Sequence, residues 1–281
     1  MLTQIIAQGL SVGAVLALSA LGLTVIYGVM GVVNLAHGEF VMLGAYSMAV
    51  LSEPLGPWAA IALTPLIVGA IGLVVDRGLI RWLYQNPVKS MLGTFGLGIV
   101  IRQLVLIAEG PGLRYVDLPI TSSVAILGEQ LPVWRLLLIA LAVVTGVLVA
   151  LWLSRSAAGL KVRIATVDAD VASALGTNVS RVNALAFGLG TALAGLAGAL
   201  VAPLNSVYPN MGVSYLVGAF LVVILAGLGS IRNALLWAAG VGLVTSAVAV
   251  PQDDVLAQVV VWTLALVIVA LRRQTLVVSR V

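Results

Sequence analysis

Asn34, His37 and Glu39 lie within six residues of each other in "YGVMGVVNLAHGEFVMLGAY", Tyr27 to Tyr46, and His37 is the only histidine of the chain. Together they offer donors, acceptors and a negative charge to a passing polar solute, yet they stand between apolar runs. The same residues can do purely structural work. Asn34 can cap the helix that follows, His37 can donate to a backbone carbonyl, and Glu39 can stabilise the positive end of that helix. Ionisable groups inside a membrane are costly, which keeps a role in a substrate route open. A second polar interruption, "APLNSVYPNMGVSY", carries Pro203, Asn205, Pro209, Asn210 and Gly212. Irregular backbone at membrane depth survives only where protein covers it or water reaches it, and in carriers it marks the substrate path. Asn34, His37, Glu39, Asn205 and Asn210 are therefore the candidate pathway residues. So sparse a set suits a zwitterion slipping through or a small neutral amide.

The elements that must hold these residues are membrane helices. The chain is 62% hydrophobic and 9% charged with a mean hydropathy of +1.19, far from soluble composition. Its 281 residues leave room for roughly eight spans of about 20 residues each and short loops. The expected fold is all-α, a polytopic helical bundle with broken or re-entrant segments, forming a single transmembrane domain over 1–281. Apolar runs fall near Ile5 to Tyr27, Phe40 to Leu51, Trp58 to Val75, Met91 to Ala108, Trp134 to Leu153, Val182 to Leu204, Tyr215 to Leu228, Ala234 to Val250 and Val255 to Leu271. The N-terminus has no positive n-region, so it reads as a first span rather than a signal peptide.

Charge orients the spans. Arg77, Arg81, Lys89, Arg155, Lys161, Arg163, Arg181, Arg232, Arg272, Arg273 and Arg280 account for 11 of the 14 Lys and Arg residues and fall in alternate loops. The intervening loops hold Glu53, Glu109, Asp117, Glu129, Asp253 and Asp254. The basic side is cytoplasmic. No Lys or Arg precedes Trp58, so charge does not place the N-terminus. The basic excess follows topology, and no nucleic-acid partner is expected. Arg102, inside the fourth run, can line the interior, snorkel to the headgroups or pair with Glu109, and its place near the outer half of the run favours snorkelling.

Small residues recur every fourth position at Gly9, Gly13 and Ala17, at Gly190, Ala194 and Gly198, and at Ala238, Gly242 and Ser246. Such stripes let helix backbones approach closely, within the bundle or across a dimer face. Cysteine is absent, so no disulfide, thiolate metal site or other cofactor is expected. No GxxxxGK[ST] occurs, so nucleotide hydrolysis through a P-loop is excluded, and no enzymatic site is expected. The longest cytoplasmic connection, 154–181, reads as a surface helix from Gly159 to Leu175 with Gly176 as its stop. It carries Arg163, Asp168 and Asp170, and it is a partner-docking candidate.

"ALGLTVIYGVMGVVNLAHGEFVMLGAY", "AGLKVRIATVDADVASALGTNVSRVNALAFGLGTALAGLAGAL" and "AFLVVILAGLGSIRNALLWAAGVGL" closely resemble, in order, the segments of permease subunits of branched-chain amino acid ATP-binding-cassette importers. Relatives of that family include urea and short-amide permeases. The resemblance implies a multi-pass permease of the bacterial inner membrane, paired with an identical or sister permease. It also implies two cytoplasmic ATP-binding subunits and a periplasmic substrate-binding protein. Arg163, Asp168, Asp170 and Gly176 would then belong to the helix that seats in the ATPase. The chain departs from the family at Arg163-Ile164, where Arg-Ala is usual, and the loop from Glu109 to Trp134 matches only in length and its Gly-Pro. "YPNMGVSYLVGAFLVVILAGLGS" is closer to urea-type permeases than to leucine-type ones. A self-sufficient channel or secondary carrier is the competing class. It predicts inverted repeats, of which the sequence shows only a loose echo of glycine-rich segments.

Overall fold

A computed structural model describes residues 2–271 apart from 85, 127, 128, 228 and 253, so Asp253 and the basic tail of Arg272, Arg273 and Arg280 lie outside the described residues. The helices are α1 (Leu2–Met30), α2 (His37–Leu55), α3 (Pro57–Gly78), α4 (Pro87–Glu109), α5 (Val133–Arg155), α6 (Ala157–Val167), α7 (Ala169–Ala174), α8 (Val179–Val201), α9 (Met211–Ala226), α10 (Ile231–Ala249) and α11 (Asp254–Leu271). Among the described residues six helices are long and apolar enough to cross a membrane, and two shorter apolar ones accompany them. The chain is a polytopic all-α membrane protein. Its one sheet among the described residues is a hairpin, β1 (Ser123–Ile126) against β2 (Glu129–Pro132), antiparallel with Val124 opposite Leu131. This hairpin falls in the loop that the sequence left without structure.

Local chemistry sets the helix starts. Asn86, Ser156 and Asn178 each accept a bond from the backbone N–H three residues on, satisfying donors that a helix cannot satisfy itself. Pro57 and Pro87 occupy first-turn positions, where the missing N–H is not needed.

Both ends of the bundle can be read from contacts. At one end the last turn of α1 shares a cleft with Arg163, Ala169 and Ile231, and the end of α3 packs against the start of α8, with Gly188 facing Leu73. This is the end carrying the basic loops, hence cytoplasmic. At the other end Trp58 and Trp134 rings lie 6.3 Å apart, Trp134 Nε1 donates to Leu200 O at 3.2 Å, and Arg114 and Val207 exchange backbone bonds of 2.9 and 2.8 Å. Because α1 finishes at the cytoplasmic end, its N-terminus starts outside. The structure thus supplies the orientation that charge alone left open.

The small-residue stripes are consumed inside the subunit. A Cβ on Gly13 would stand 2.9 Å from Ala238 O, and one on Gly9 would stand 2.8 Å from Leu243 Cα, so α1 and α10 run in backbone contact. Gly190 faces Gly22 and Ile26, and Gly198 faces Val41, which locks α8 against α1 and α2. These contacts replace the hydrophobic drive that lipid removes.

The order of directions repeats upside down. From outside, α1 descends, α2 rises, α3 descends and α4 rises, whereas α8 rises, α9 descends, α10 rises and α11 descends. The contacts follow the same correspondence: α1 packs on α10 as α8 packs on α3, and α2 on α8 as α9 on α1.

Candidate functional site

Residues 31–36 carry no regular helix, and they fold back from the cytoplasmic end of α1 into the bundle. His37 Nε2 donates to Ser19 O at 2.8 Å. Ser19 lies eleven residues before the end of α1, which puts the start of α2 ~16 Å above that end at 1.5 Å per residue. Gly31 has φ of +63°, a left-handed conformation that glycine adopts without strain. The exposed backbone of the broken segment is satisfied locally. Leu35 N donates to Thr94 Oγ1 at 3.1 Å, and Ala36 N donates to Asn34 Oδ1 at 3.0 Å. Asn34 therefore makes a turn ahead of the helix rather than capping it: the cap position is Ala36, without a side-chain bond.

Segment 202–210 enters from the opposite face. It leaves the outer end of α8, is pinned by the Val207 bridge to Arg114, and delivers the start of α9 to Gly38. A Cβ on Gly212 would stand 2.6 Å from Gly38 O, and one on Gly38 would stand 2.8 Å from Leu216 Cβ. Two re-entrant half-helices thus meet N-terminus to N-terminus in the middle of the bundle.

Glu39 lies at this meeting point. It is 3% exposed and sits in the first turn of α2. Its Oε1 accepts from Arg102 Nη2, and from Arg102 Nε at 3.2 Å. The expectation that Arg102 snorkels or pairs with Glu109 is corrected: Gly98 leaves room for Glu39 Cγ at 3.5 Å from its would-be Cβ, so the arginine reaches inward, while Glu109 pairs with Arg114. Among the described residues Glu39 Oε2, His37 Nδ1 and Asn34 Nδ2 are buried without hydrogen-bond partners, as are the hydroxyls of Ser19 and Thr24. In so apolar a setting, unpaired polar atoms are expensive.

The sequence candidates separate into two groups. Asn34, His37 and Glu39 are all buried at the start of α2, with His37 turned to Ser19 of α1 and Glu39 to Arg102 of α4. Asn205 and Asn210 stay exposed in the outer re-entrant segment, with Asn205 Nδ2 donating to the Tyr215 hydroxyl at 3.1 Å. Arg102 also belongs to the centre, the interior placement that the sequence left open beside the favoured snorkelling. Its signal was present: it is the arginine placed well inside an apolar run.

At the cytoplasmic end the surface helix is broken, not continuous. Asp168 caps a new helix, accepting from Asp170 N at 2.9 Å and Val171 N at 3.0 Å. Asp competes for backbone donors in this way, which disfavours it mid-helix. Gly176 ends α7 with φ of +77° while Thr177 N closes back onto Ala172 O at 2.9 Å, the stop that the sequence predicts. Asp170 is exposed in the first turn of α7, and Arg163 Nη2 donates to Ser154 O at 3.3 Å. Val162, Ala165 and Ala172 pack with Val182 and with Val29 of α1. Near the end of α3, Tyr84 donates to Asp76. Burial, then the Asp76 carboxylate, hold that phenol above its ordinary range.

Residues 5–271 match the family described as branched-chain amino acid transport system / permease component. The chain is 30% identical to the high-affinity branched-chain amino acid transport system permease protein BraD of Pseudomonas aeruginosa, over 83% of this chain and 81% of that one. It is 28% identical to the permease protein LivH of the same kind of system in Escherichia coli, over 82% and 80%. To LivM of Salmonella typhimurium it is 26% identical, over 75% and 56%. No solved structure matches the chain.

Proposed function

This chain belongs to the branched-chain amino acid transport system permease family, and we propose that it is the membrane-spanning subunit of an ATP-binding-cassette importer. In this reading it carries branched-chain and other hydrophobic amino acids across the inner membrane. The observation that carries it is the family match over 5–271. The buried meeting of two re-entrant helices gives that match a physical route, since broken helices at mid-depth present polar groups to a solute. Asn34, His37 and Glu39 would line the central part of the route, and Asn205 and Asn210 its outer approach.

The sequence has no P-loop, so the energy would come from two separate cytoplasmic ATP-binding subunits. The loop 154–181 would be their docking element. Arg163 and Asp170 are exposed on α6 and α7, while Asp168 and Gly176 fix where α7 begins and ends. A second permease, identical or a sister, completes the membrane unit, and a periplasmic binding protein would deliver substrate to the outer face.

Reconstitution of the permease with its ATP-binding subunits and binding protein in liposomes tests this. Labelled leucine should accumulate only with ATP inside and all components present, ahead of alanine and urea. Leucine uptake at the same rate without the ATP-binding subunits, or accumulation of urea in preference to leucine, refutes it.

A further inference from the structure

The geometry points to the Glu39–Arg102 pair as the element that recognises the two charges of an α-amino acid, the ammonium at Glu39 Oε2 and the carboxylate at Arg102. This inference rests on the transport reading above and names what the centre of the route selects.

A purely structural ion pair would saturate its hydrogen bonds, because each unfilled site at a buried charge is costly. This one is lopsided. Both arginine nitrogens that bond the carboxylate go to Oε1, and Oε2 is left without a partner among the described residues. The side chain of Glu39 is 4% exposed while that of Arg102 is 28% exposed, so one partner is sealed and the other opens to the side. The pair therefore has one acceptor and several guanidinium N–H donors in reserve. An α-amino acid supplies the complementary set, an ammonium that donates and a carboxylate that accepts.

The surroundings favour the same assignment. A Cβ on Gly212 would stand 3.0 Å from Oε2, so the free oxygen abuts the first turn of α9 while its own helix α2 begins at the same place. Each helix N-terminus is equivalent to roughly +0.5 of an elementary charge. Two of them plus Arg102 outweigh Glu39 by about one positive charge. The centre thus attracts a carboxylate and still keeps one anionic oxygen for an ammonium. A neutral amide meets these charges with dipoles only and so makes the weaker hydrogen bonds. His37 Nδ1 and Asn34 Nδ2 are likewise buried and unpartnered among the described residues.

The test is the double variant Glu39→Gln with Arg102→Gln, which removes both charges and leaves neither one buried alone. The complete complex with its ATP-binding subunits and binding protein is reconstituted, and initial uptake of labelled leucine is compared with wild type. The melting temperature in detergent is measured in parallel. Losing charge-assisted hydrogen bonds to substrate should lower uptake roughly 10- to 100-fold at an unchanged melting temperature. Uptake within about twofold of wild type overturns the assignment and makes the pair structural. Should the double variant not fold, Glu39→Asp keeps both charges and draws the carboxylate back by one methylene. It should lose uptake at least about tenfold without loss of melting temperature, and wild-type uptake in it also overturns the assignment. A wild-type complex that fails to accumulate leucine would instead sink the transport reading itself.

Discussion

Replacing Gly38 with alanine is the sharpest probe of the meeting of the two half-helices. The added methyl would run into Gly212 O, and would stand 2.8 Å from Gly212 C and from Leu216 Cβ. None of these is the end of a flexible side chain, so α2 and α9 must separate. Overpacking costs about 1–3 kcal/mol, and a backbone obstacle puts this site at the upper end. The gain from removing a helical glycine offsets at most about 0.5–1 kcal/mol. The net loss is roughly 2–2.5 kcal/mol. Gly96 of α4 is the internal control, because a Cβ there meets nothing within 4 Å. Gly96→Ala should therefore stabilise by about 0.5–1 kcal/mol. Both variants of the isolated chain are unfolded reversibly in mixed micelles with increasing SDS, and ATP-driven uptake is measured in the full complex. Gly38→Ala should unfold earlier than wild type and lose uptake, while Gly96→Ala should do neither. Equal midpoints for the two variants would show that the helix starts do not touch.

Two further outcomes are expected. Asp168→Ala removes the acceptor for Asp170 N and Val171 N, which weakens α7 by about 1 kcal/mol; leucine uptake per ATP hydrolysed should fall, and Asp168→Asn, an equally good cap, should restore it. Since the chain has no cysteine, single-cysteine variants read topology cleanly: in right-side-out vesicles a membrane-impermeant maleimide should label Gln4→Cys and leave Ser173→Cys untouched. Labelling in the reverse pattern would invert the orientation.

The apolar runs and the basic loops were legible because a span must be long, apolar and charged on its cytoplasmic side, and these are local properties. The stop at Gly176 was legible for the same reason: one residue type answers one backbone conformation. The partner of Arg102 was not legible because its nearest carboxylate in sequence is Glu109, seven residues on, whereas Glu39 lies 63 residues before it. Only the re-entry of 31–36 brings that carboxylate to mid-depth. Asp168 was read as one carboxylate of a continuous helix. Its side chain gains more from two backbone donors than from staying helical, and the helix breaks there. The inverted arrangement left only a loose echo in the sequence, since what repeats is the position of the breaks, after α1 and after α8, and not the residues that fill them.

The position of the break after α1 also explains how a surface element can reach the centre. Val29, one residue short of the end of α1, packs into the cluster formed by α6, α7 and α8. Ten residues later the chain reaches Glu39. Between them lie Gly31, whose Cβ position is empty to 4 Å, and a segment held by the Thr94 hydroxyl and the Asn34 turn instead of a helical ladder. Helices on either side are locked by glycine contacts against backbone, so a displacement at α6 has one compliant place to go. That place carries His37 and Glu39 at its far end. Movement of the start of α2 against α4 would alter the Glu39–Arg102 pair together with the Gly38–Gly212 contact. In the proposed reading, coupling from the cytoplasmic face and recognition at mid-depth would converge on the same short stretch, with the apolar runs around Asn34 to Glu39 as its frame.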